Sequence, residues 1–166
     1  PEANIVTIDD DKILPRYFLK TMLAAHSTKP SSIIGYRGWE MKSHSGILEY
    51  GKGWERATTA SPSARLFLPG NAGILYPPGA LSEILHNLAV AHEICPTNDD
   101  FWFWGVAHQS GSEFFCLGMP AHTPVAGQQK TPALSHVNAA TNNQQFQDTI
   151  NYFGLREMLT IATAEG

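Results

Sequence analysis

The sequence predicts an α/β domain in which a mixed sheet is flanked by helices. Short runs of β-branched and other apolar residues are bounded by turn formers, and stretches with helical spacing lie between them. The length of 166 residues suits one domain with a real core. We therefore treat residues 1–166 as a single domain.

The first predicted strand begins near Ile5 and leads into three consecutive carboxylates, Asp9, Asp10 and Asp11. Adjacent like charges repel and aspartate is a poor strand residue, so the cluster indicates a local partner. A divalent cation fits, because Mg²⁺ and Mn²⁺ take carboxylate oxygens and keep positions open for phosphate oxygens. The alternative is an acidic turn that complements the N-terminus of the next helix.

A helix is predicted from Ile13 to His26, where apolar residues recur at helical spacing. A β-rich run over residues 32–37 follows, so the β-α-β order predicts a parallel strand pair joined by a crossover helix. Residues 38–62 are rich in Gly and Ser and indicate a meander or an active-site loop, with a possible strand at 46–50.

The next strand is predicted from Gly73 to Pro77, after a flexible segment that contains Gly70. Two glycines here permit close backbone approach to a ligand or a conformational gate, although a plain turn between strands is the simpler interpretation. Further elements are predicted as follows: helices over 81–94 and 99–109, a strand over 113–117 and a terminal helix over 146–161. The Gln/Asn-rich stretch before that last helix predicts a mobile segment over residues 120–145.

Two carboxylates, Asp99 and Asp100, open the helix predicted over 99–109 and precede four aromatic residues. Asn98 can cap this helix, and a carboxylate in the first turn can act as a general base. The aromatic side chains would exclude water and stack on a sugar ring. Aspartate is also common in first helical turns, and the aromatic cluster can equally be core.

Composition excludes several classes of protein. The net charge is −4 without a basic block, which argues against nucleic acid as a partner. The sequence has neither an apolar run long enough to span a membrane nor a basic-then-apolar leader, so we expect a soluble, cytoplasmic protein. Cys95 and Cys116 lack CxxC spacing, which argues against a zinc cluster; they are buried thiols or, alternatively, a single bridge.

Three runs together resemble bacterial glycosyltransferases of the GT-A fold that build surface polysaccharide. They are the strand and Asp triplet over 5–11, the Gly-x-x-Gly-Ile-Leu-Tyr-Pro-Pro run over 70–78, and the Cys-Pro-x-x-Asp-Asp-Phe-Trp run over 95–102. Their order and spacing match as well as their residues, and the resemblance covers residues 5–118. It implies a metal-dependent, inverting glycosyltransferase that uses a nucleotide-sugar donor and a glycan or other hydroxyl acceptor.

The resemblance also implies roles for the acidic residues. Asp11 would hold Mn²⁺ or Mg²⁺, Asp9 would approach the ribose or assist at the ion, and Asp10 would support them. The cation would offset charge on the leaving nucleoside diphosphate. Asp100 would be the catalytic base, with Asp99 as its neighbour.

Other residues receive roles by position in the same resemblance. Gly70, Gly73 and Tyr76 would line the donor-sugar and acceptor side, and His122 or His136 would be a further metal ligand. The chain begins Pro-Glu-Ala and enters a strand almost at once, which leads us to expect a fragment that lacks the N-terminal, nucleobase-binding part of the fold.

Two alternatives come from other classes of protein. One is a carbohydrate-binding module with a structural Ca²⁺, in which four tryptophans form a stacking surface: Trp39, Trp54, Trp102 and Trp104. The other is a metal-dependent phosphohydrolase built on the Asp triplet. Neither accounts for both acidic segments and the Gly-Ile-Leu-Tyr-Pro-Pro run between them, which favours the transferase.

Overall fold

The structure is a computed structural model that describes residues 2–43, 46–58, 62–120, 122–125 and 134–161. Its strands are β1 (Ile5–Thr7), β2 (Lys12–Ile13), β3 (Ser32–Gly35), β4 (Trp39–Glu40), β5 (Glu55–Arg56), β6 (Leu66–Phe67), β7 (Ile74–Tyr76), β8 (Glu113–Cys116) and β9 (Thr123–Pro124). Its α-helices are α1 (Phe18–Thr28), α2 (Leu88–Ile94), α3 (Asp99–Gln109), α4 (Leu134–Tyr152) and α5 (Arg156–Ile161), and 3₁₀ turns cover Gly70–Ala72 and Glu83–His86. The described helices include none that is long and apolar enough to cross a lipid bilayer.

A mixed sheet with the strand order β1-β7-β3-β8 forms the centre of the fold, so the predicted α/β class with a mixed sheet flanked by helices is confirmed. Strand β7 is antiparallel to both β1 and β3, whereas β3 and β8 are parallel. The predicted direct pairing of the first two strands is therefore wrong. They point the same way, but β7 lies between them.

This strand order gathers several connecting segments at one edge of the sheet, which we call the carboxyl edge. It holds the residues that follow β1, β3 and β8 together with those that precede β7. The carboxyl ends of strands in open α/β sheets are where ligands commonly bind.

The two faces of the sheet bury two separate cores, because neighbouring residues of a strand point to opposite faces. On one face, Phe18 and Met22 of α1 pack against Ile34, Leu75 and Phe115. The other face carries the larger core, which includes members from several strands and helices: Ile33, Phe67, Ile74, Phe101, Trp104, Phe114 and Phe146. The small sheet β5-β4-β6 contributes Leu66 and Phe67 to that core.

Several elements have boundaries that differ from the predicted ones. Helix α1 begins at Phe18 rather than Ile13, because residues 12–13 pair with β9 instead. The possible strand over 46–50 is a turn with an isolated bridge. The single helix predicted over 81–94 is a 3₁₀ turn followed by α2, since the side chain of Asn87 accepts a hydrogen bond from the Val90 N–H at 3.4 Å and starts a new helix.

The C-terminal part differs most from prediction. Helix α4 begins at Leu134 rather than residue 146, and α5 follows as a separate helix. Part of the segment predicted to be mobile, residues 134–145, thus belongs to α4, while 121 and 126–133 lie outside the described residues. Phe146 and Ile150 are buried, so one side of this polar helix packs against the core. By contrast, α3 is confirmed at both ends, and β7 and β8 lie within the predicted limits.

Candidate active site

The two acidic segments, far apart in sequence, meet at the carboxyl edge. Asp9 follows β1, and Asp99 and Asp100 form the first turn of α3. Their carboxyl groups are close enough for the charge of Asp9 to raise the pKa of Asp100 and for the charge of Asp99 to raise that of Asp9. The fold therefore concentrates negative charge at one place.

Asp100 is held by the backbone of the 3₁₀ turn at Gly70. The N–H of Gly70 donates a hydrogen bond of 2.9 Å to Oδ1 of Asp100. A Cβ atom on residue 70 would lie 2.5 Å from that oxygen, so the contact needs glycine. Burial raises the pKa of Asp100 to about 7, and the charges of Asp99 and Asp9 act in the same direction, while the hydrogen bond from Gly70 opposes them.

Most of helix α3 is buried, and Asp100 lies in its first turn. Asn98 occupies the N-cap position, but its side chain does not cap; it donates to Oδ1 of Asn142 in α4 at 2.9 Å. Gln145, also in α4, accepts from the N–H of Thr97 at 3.1 Å. No sequence motif predicts these α4 contacts, which fix the start of α3 and hence the position of Asp100.

The predicted aromatic platform is mostly core. Trp102 and Trp104 are each 3% exposed, and their indole N–H groups donate to the backbone oxygens of Leu85 and Leu66. Trp39 and Trp54 pack partly buried against the same core. These four tryptophans form no exposed stacking surface for a sugar.

Two aromatic residues of α3, Phe103 and Trp104, line a small cavity beside Asp100. Tyr76 lies on the same lining. The volume of this cavity is about 10 Å³, close to the room one water molecule needs. Tyr76 is buried and packs against Phe103, so it supports Asp100 from the core.

The Asp triplet is more open than Asp100. Asp9 and Asp10 are exposed, whereas Asp11 is half-buried and forms an ion pair with the Lys12 ammonium at 2.6 Å. Burial of its carboxyl group raises the pKa of Asp9, with the charge of Asp11 as the next cause; the charge of Lys12 opposes both.

Two of these carboxylates are candidate ligands for a divalent cation. Asp9 and Asp11 offer hard oxygen ligands in a region of excess negative charge, and Lys12 already places a cationic group against Asp11. In the described part of the chain, no three His, Cys, Asp or Glu side chains are grouped to hold a metal. A Mg²⁺-type site with one or two carboxylates takes its other ligands from substrate phosphates and water.

The rest of the loop before β7 is tightly packed. Gly73 has a φ of +88°, which glycine adopts readily, and the ring of Phe18 occupies the place of its missing Cβ. His122 lies 2.8 Å from the backbone oxygen of Ala72 through Nε2, and its ring packs on Tyr36 and Phe18. His122 thus braces the Gly70–Ala72 turn. The side chain of His136, the other suggested ligand, lies outside the described residues.

No model of a protein family, no curated protein and no solved structure matches this chain. Functional interpretation therefore rests on the geometry of the carboxyl edge and on the three sequence runs that meet there.

Proposed function

We propose that this chain is a metal-dependent glycosyltransferase of the GT-A type, which transfers a sugar with inversion from a nucleotide-sugar to a hydroxyl group of a glycan acceptor. The observation that carries this proposal is the meeting of Asp9 with Asp99 and Asp100 beside the Gly70 turn. One exposed acidic segment and one half-buried carboxylate at the same edge supply the two chemical functions that such a transfer needs.

Asp100 is the proton acceptor. Its raised pKa, about 7, suits a general base that works near neutral pH, and Gly70 fixes its orientation through Oδ1. The acceptor hydroxyl gives its proton to the Asp100 carboxylate as its oxygen bonds to the anomeric carbon. The bond from that carbon to the diphosphate oxygen breaks on the opposite side, and its electron pair leaves with the diphosphate, which inverts the configuration.

Asp9 and Asp11 are the residues that would hold the cation. When bound, a divalent cation neutralises charge on the leaving diphosphate. The Lys12 ammonium, now 2.6 Å from Asp11, would have to turn away from that carboxylate. Asp10 is exposed beside them and adds to the local negative potential.

The alternatives gain less from the structure. A carbohydrate-binding surface of four tryptophans is not supported, because Trp102 and Trp104 are core residues and Trp39 and Trp54 pack against the same core. A phosphohydrolase would use the Asp triplet, but it leaves the half-buried Asp100 and its Gly70 contact without a role.

Calorimetric titration of UDP and GDP tests the proposal, once with Mn²⁺ and once with EDTA. We expect binding of a nucleoside diphosphate that needs Mn²⁺ and that Asp11→Ala weakens. Glu93→Ala, which removes an exposed carboxylate from α2, is the matched control and should bind as the parent does. Absence of metal-dependent binding, or release of phosphate from p-nitrophenyl phosphate by the parent chain, would contradict the proposal.

A further inference from the structure

Two arginines lie on adjoining segments, and one of them contacts the turn that holds Asp100. Arg37 follows β3, and its Nη2 donates to Oδ1 of Asn71 at 2.9 Å. Arg56 ends β5, and its Nη2 donates to the backbone oxygen of Met119 at 2.7 Å. Since Asn71 directly follows Gly70, one short turn connects Asp100 with Arg37.

Neither arginine is neutralised in the described part of the chain. The ion pairs found there involve Lys12, Lys42 and Lys52. The nearby carboxylates are engaged elsewhere, Glu55 with Lys42 at 2.8 Å and Glu40 with the Ser63 hydroxyl at 3.3 Å.

Arg37 is the more buried of the two guanidinium groups. Its Nε is shielded from solvent and has no hydrogen-bond partner among the described residues. The segments that carry the two arginines adjoin, because the N–H of Ala57 donates to the backbone oxygen of Gly38 at 3.0 Å. Burial lowers the pKa of Arg37, and the like charge of Arg56 lowers it further. A half-buried cation beside another cation is costly unless an anion joins them.

A cavity with a volume of about 270 Å³ adjoins Arg56. Two cations, Lys42 and Arg56, and two carboxylates, Glu40 and Glu55, form its charged part, while buried Leu66 and Cys116 belong to its apolar part. A cavity of this size lies just below the usual range for small-ligand pockets, and its mixed lining suits a sugar ring that carries a charge.

The basic pair and the acidic group contact different partners. Arg37 and Arg56 donate to Asn71 and to the backbone of Met119, whereas Asp100 accepts from Gly70 and Asp11 pairs with Lys12. An anion held by the arginines would therefore have different ligands from a diphosphate held through a cation at Asp9 and Asp11.

We infer that Arg37 and Arg56 bind an anionic group, a carboxylate or a phosphate ester, on the acceptor glycan. Guanidinium groups bind both anions through paired, charge-assisted hydrogen bonds. The anion site stands on the contacts of the two arginines, whereas its assignment to the acceptor rests on the proposed function. On that assignment, the Gly70–Ala72 turn links the group that recognises the acceptor to the base that deprotonates it.

The test follows the arginine Nε–H signals of the whole chain by nuclear magnetic resonance in EDTA, during titration with glucuronate, glucose 6-phosphate and neutral glucose. We expect the two anions, and not glucose, to shift the signals of Arg37 and Arg56. The Arg65 signal should stay in place, because its Nε already donates to the Met41 oxygen at 3.0 Å. Unmoved Arg37 and Arg56 signals, or an equal response to glucose, would overturn the inference.

Variants add a second readout. Arg56→Gln should weaken binding of the effective anion by at least about tenfold, since it removes a charge-assisted contact from an exposed position. Arg16→Gln, the same change at an exposed residue before α1, should leave the affinity unchanged. Equal affinities of Arg56→Gln and the parent would refute the site.

Competition with UDP in Mn²⁺ identifies the source of the anion. If Mn²⁺ and UDP bind without displacing the acidic sugar, the acceptor assignment is supported. If they displace it and shift the same arginine signals, the anion belongs to the donor and the acceptor assignment is wrong. If glucuronate binds but neither UDP nor GDP binds with Mn²⁺, the anion site stands and the glycosyltransferase proposal fails.

Discussion

The fold holds its two acidic segments in different ways. Asp9 and Asp10 are exposed in the turn after the edge strand β1, where Lys12 supplies a counter-charge to Asp11. Asp100 is half-buried at the start of α3, beside a small cavity, and accepts a hydrogen bond from Gly70. The residue type is the same, but the solvent exposure of the carboxyl groups and the groups that contact them differ.

This difference assigns different chemistry to the two segments. A carboxylate near water keeps its charge at little cost and can exchange a counter-ion such as Lys12 for a metal cation. Burial penalises the charged form of Asp100 and raises its pKa to about 7, where it can take up a proton near neutrality. Environment, more than sequence, separates the proposed cation site from the proposed base.

Asp100→Asn should have the largest effect of these variants, and it should act on sugar transfer. An amide cannot accept the acceptor proton, although its oxygen can still bind the Gly70 N–H, so we expect kcat for sugar transfer to fall by about 10²–10⁴. Metal-dependent UDP binding should be nearly unchanged, because the cation site lies with Asp9 and Asp11. Asp99→Asn is the paired control. A larger loss of kcat in Asp99→Asn than in Asp100→Asn would make Asp99 the base and Asp100 its neighbour.

Asp11→Ala should give the next largest effect, on binding rather than turnover. Loss of a carboxylate ligand should weaken Mn²⁺-dependent UDP binding by at least about tenfold, as disruption of metal sites commonly does. Lys12→Gln should act in the opposite direction, since its ammonium competes with the cation for Asp11. Calorimetry of the two variants measures both effects, and unchanged affinities would remove the triplet as the cation site.

Gly70→Ala should disturb the contact with Asp100 and leave the Asp triplet unchanged. The new methyl group would lie 2.5 Å from Oδ1 of Asp100, so we expect a loss of about 2–3 kcal/mol in the free energy of unfolding, measured in urea. Gly79→Ala is a control with a strained φ of +79° but nothing within 4 Å of the new atom, and it should lose about 1 kcal/mol.

A double-mutant cycle identifies the contact. In an Asp100→Ala background, the carboxylate is absent and Gly70→Ala should cost much less. An equal cost in both backgrounds would show that the methyl group is opposed by something other than Asp100.

The elements of the site that were predicted correctly, α3 and β7, have clear local sequence patterns. Helix α3 opens at Asp99 as expected, because an acidic first turn follows Asn98 and an apolar run continues from Phe101 to Ala107. The strand after Gly73 is bounded by glycine and proline on either side, and it appears as β7. Residues within or next to each element mark its limits in the sequence.

Contacts between residues far apart in sequence determine the features that were not predicted. Insertion of β7 between β1 and β3 is a pairing choice that no local pattern specifies. The polar composition of α4 hid a helix that uses Asn142 and Gln145 to hold the start of α3. The aromatic run of α3 has no polar face, so its spacing could not distinguish core tryptophans from a sugar platform.

The contact between Arg37 and Asn71 was missed for a similar reason. The two residues lie on different segments, and nothing around either of them in the sequence predicts that β3 and the Gly70–Ala72 turn meet at the carboxyl edge. Arg37 alone reads as a strand-end charge, and only the fold places it beside Arg56.

The pH dependence of stability gives the smallest expected effect and the most direct test of burial at Asp100. Its pKa rises from the ordinary 3.8 to about 7 in the folded state, so within that interval the folded protein binds the proton more tightly than the unfolded chain does. Stability contributed by this group is therefore lost as pH rises from about 4 to about 7. Asp100→Asn cannot ionise and removes this loss.

The free energy of unfolding of Asp100→Asn relative to the parent should accordingly increase by about 1–2 kcal/mol between pH 5 and pH 8, after allowance for partial exposure. His108 acts with the opposite sign, because burial lowers its pKa to about 4 and stability falls as pH drops below 6.5. Its contribution cancels when the two proteins are compared at each pH. A difference independent of pH would mean that Asp100 titrates as an ordinary exposed aspartate, and the contrast between the two acidic segments would lose its physical basis.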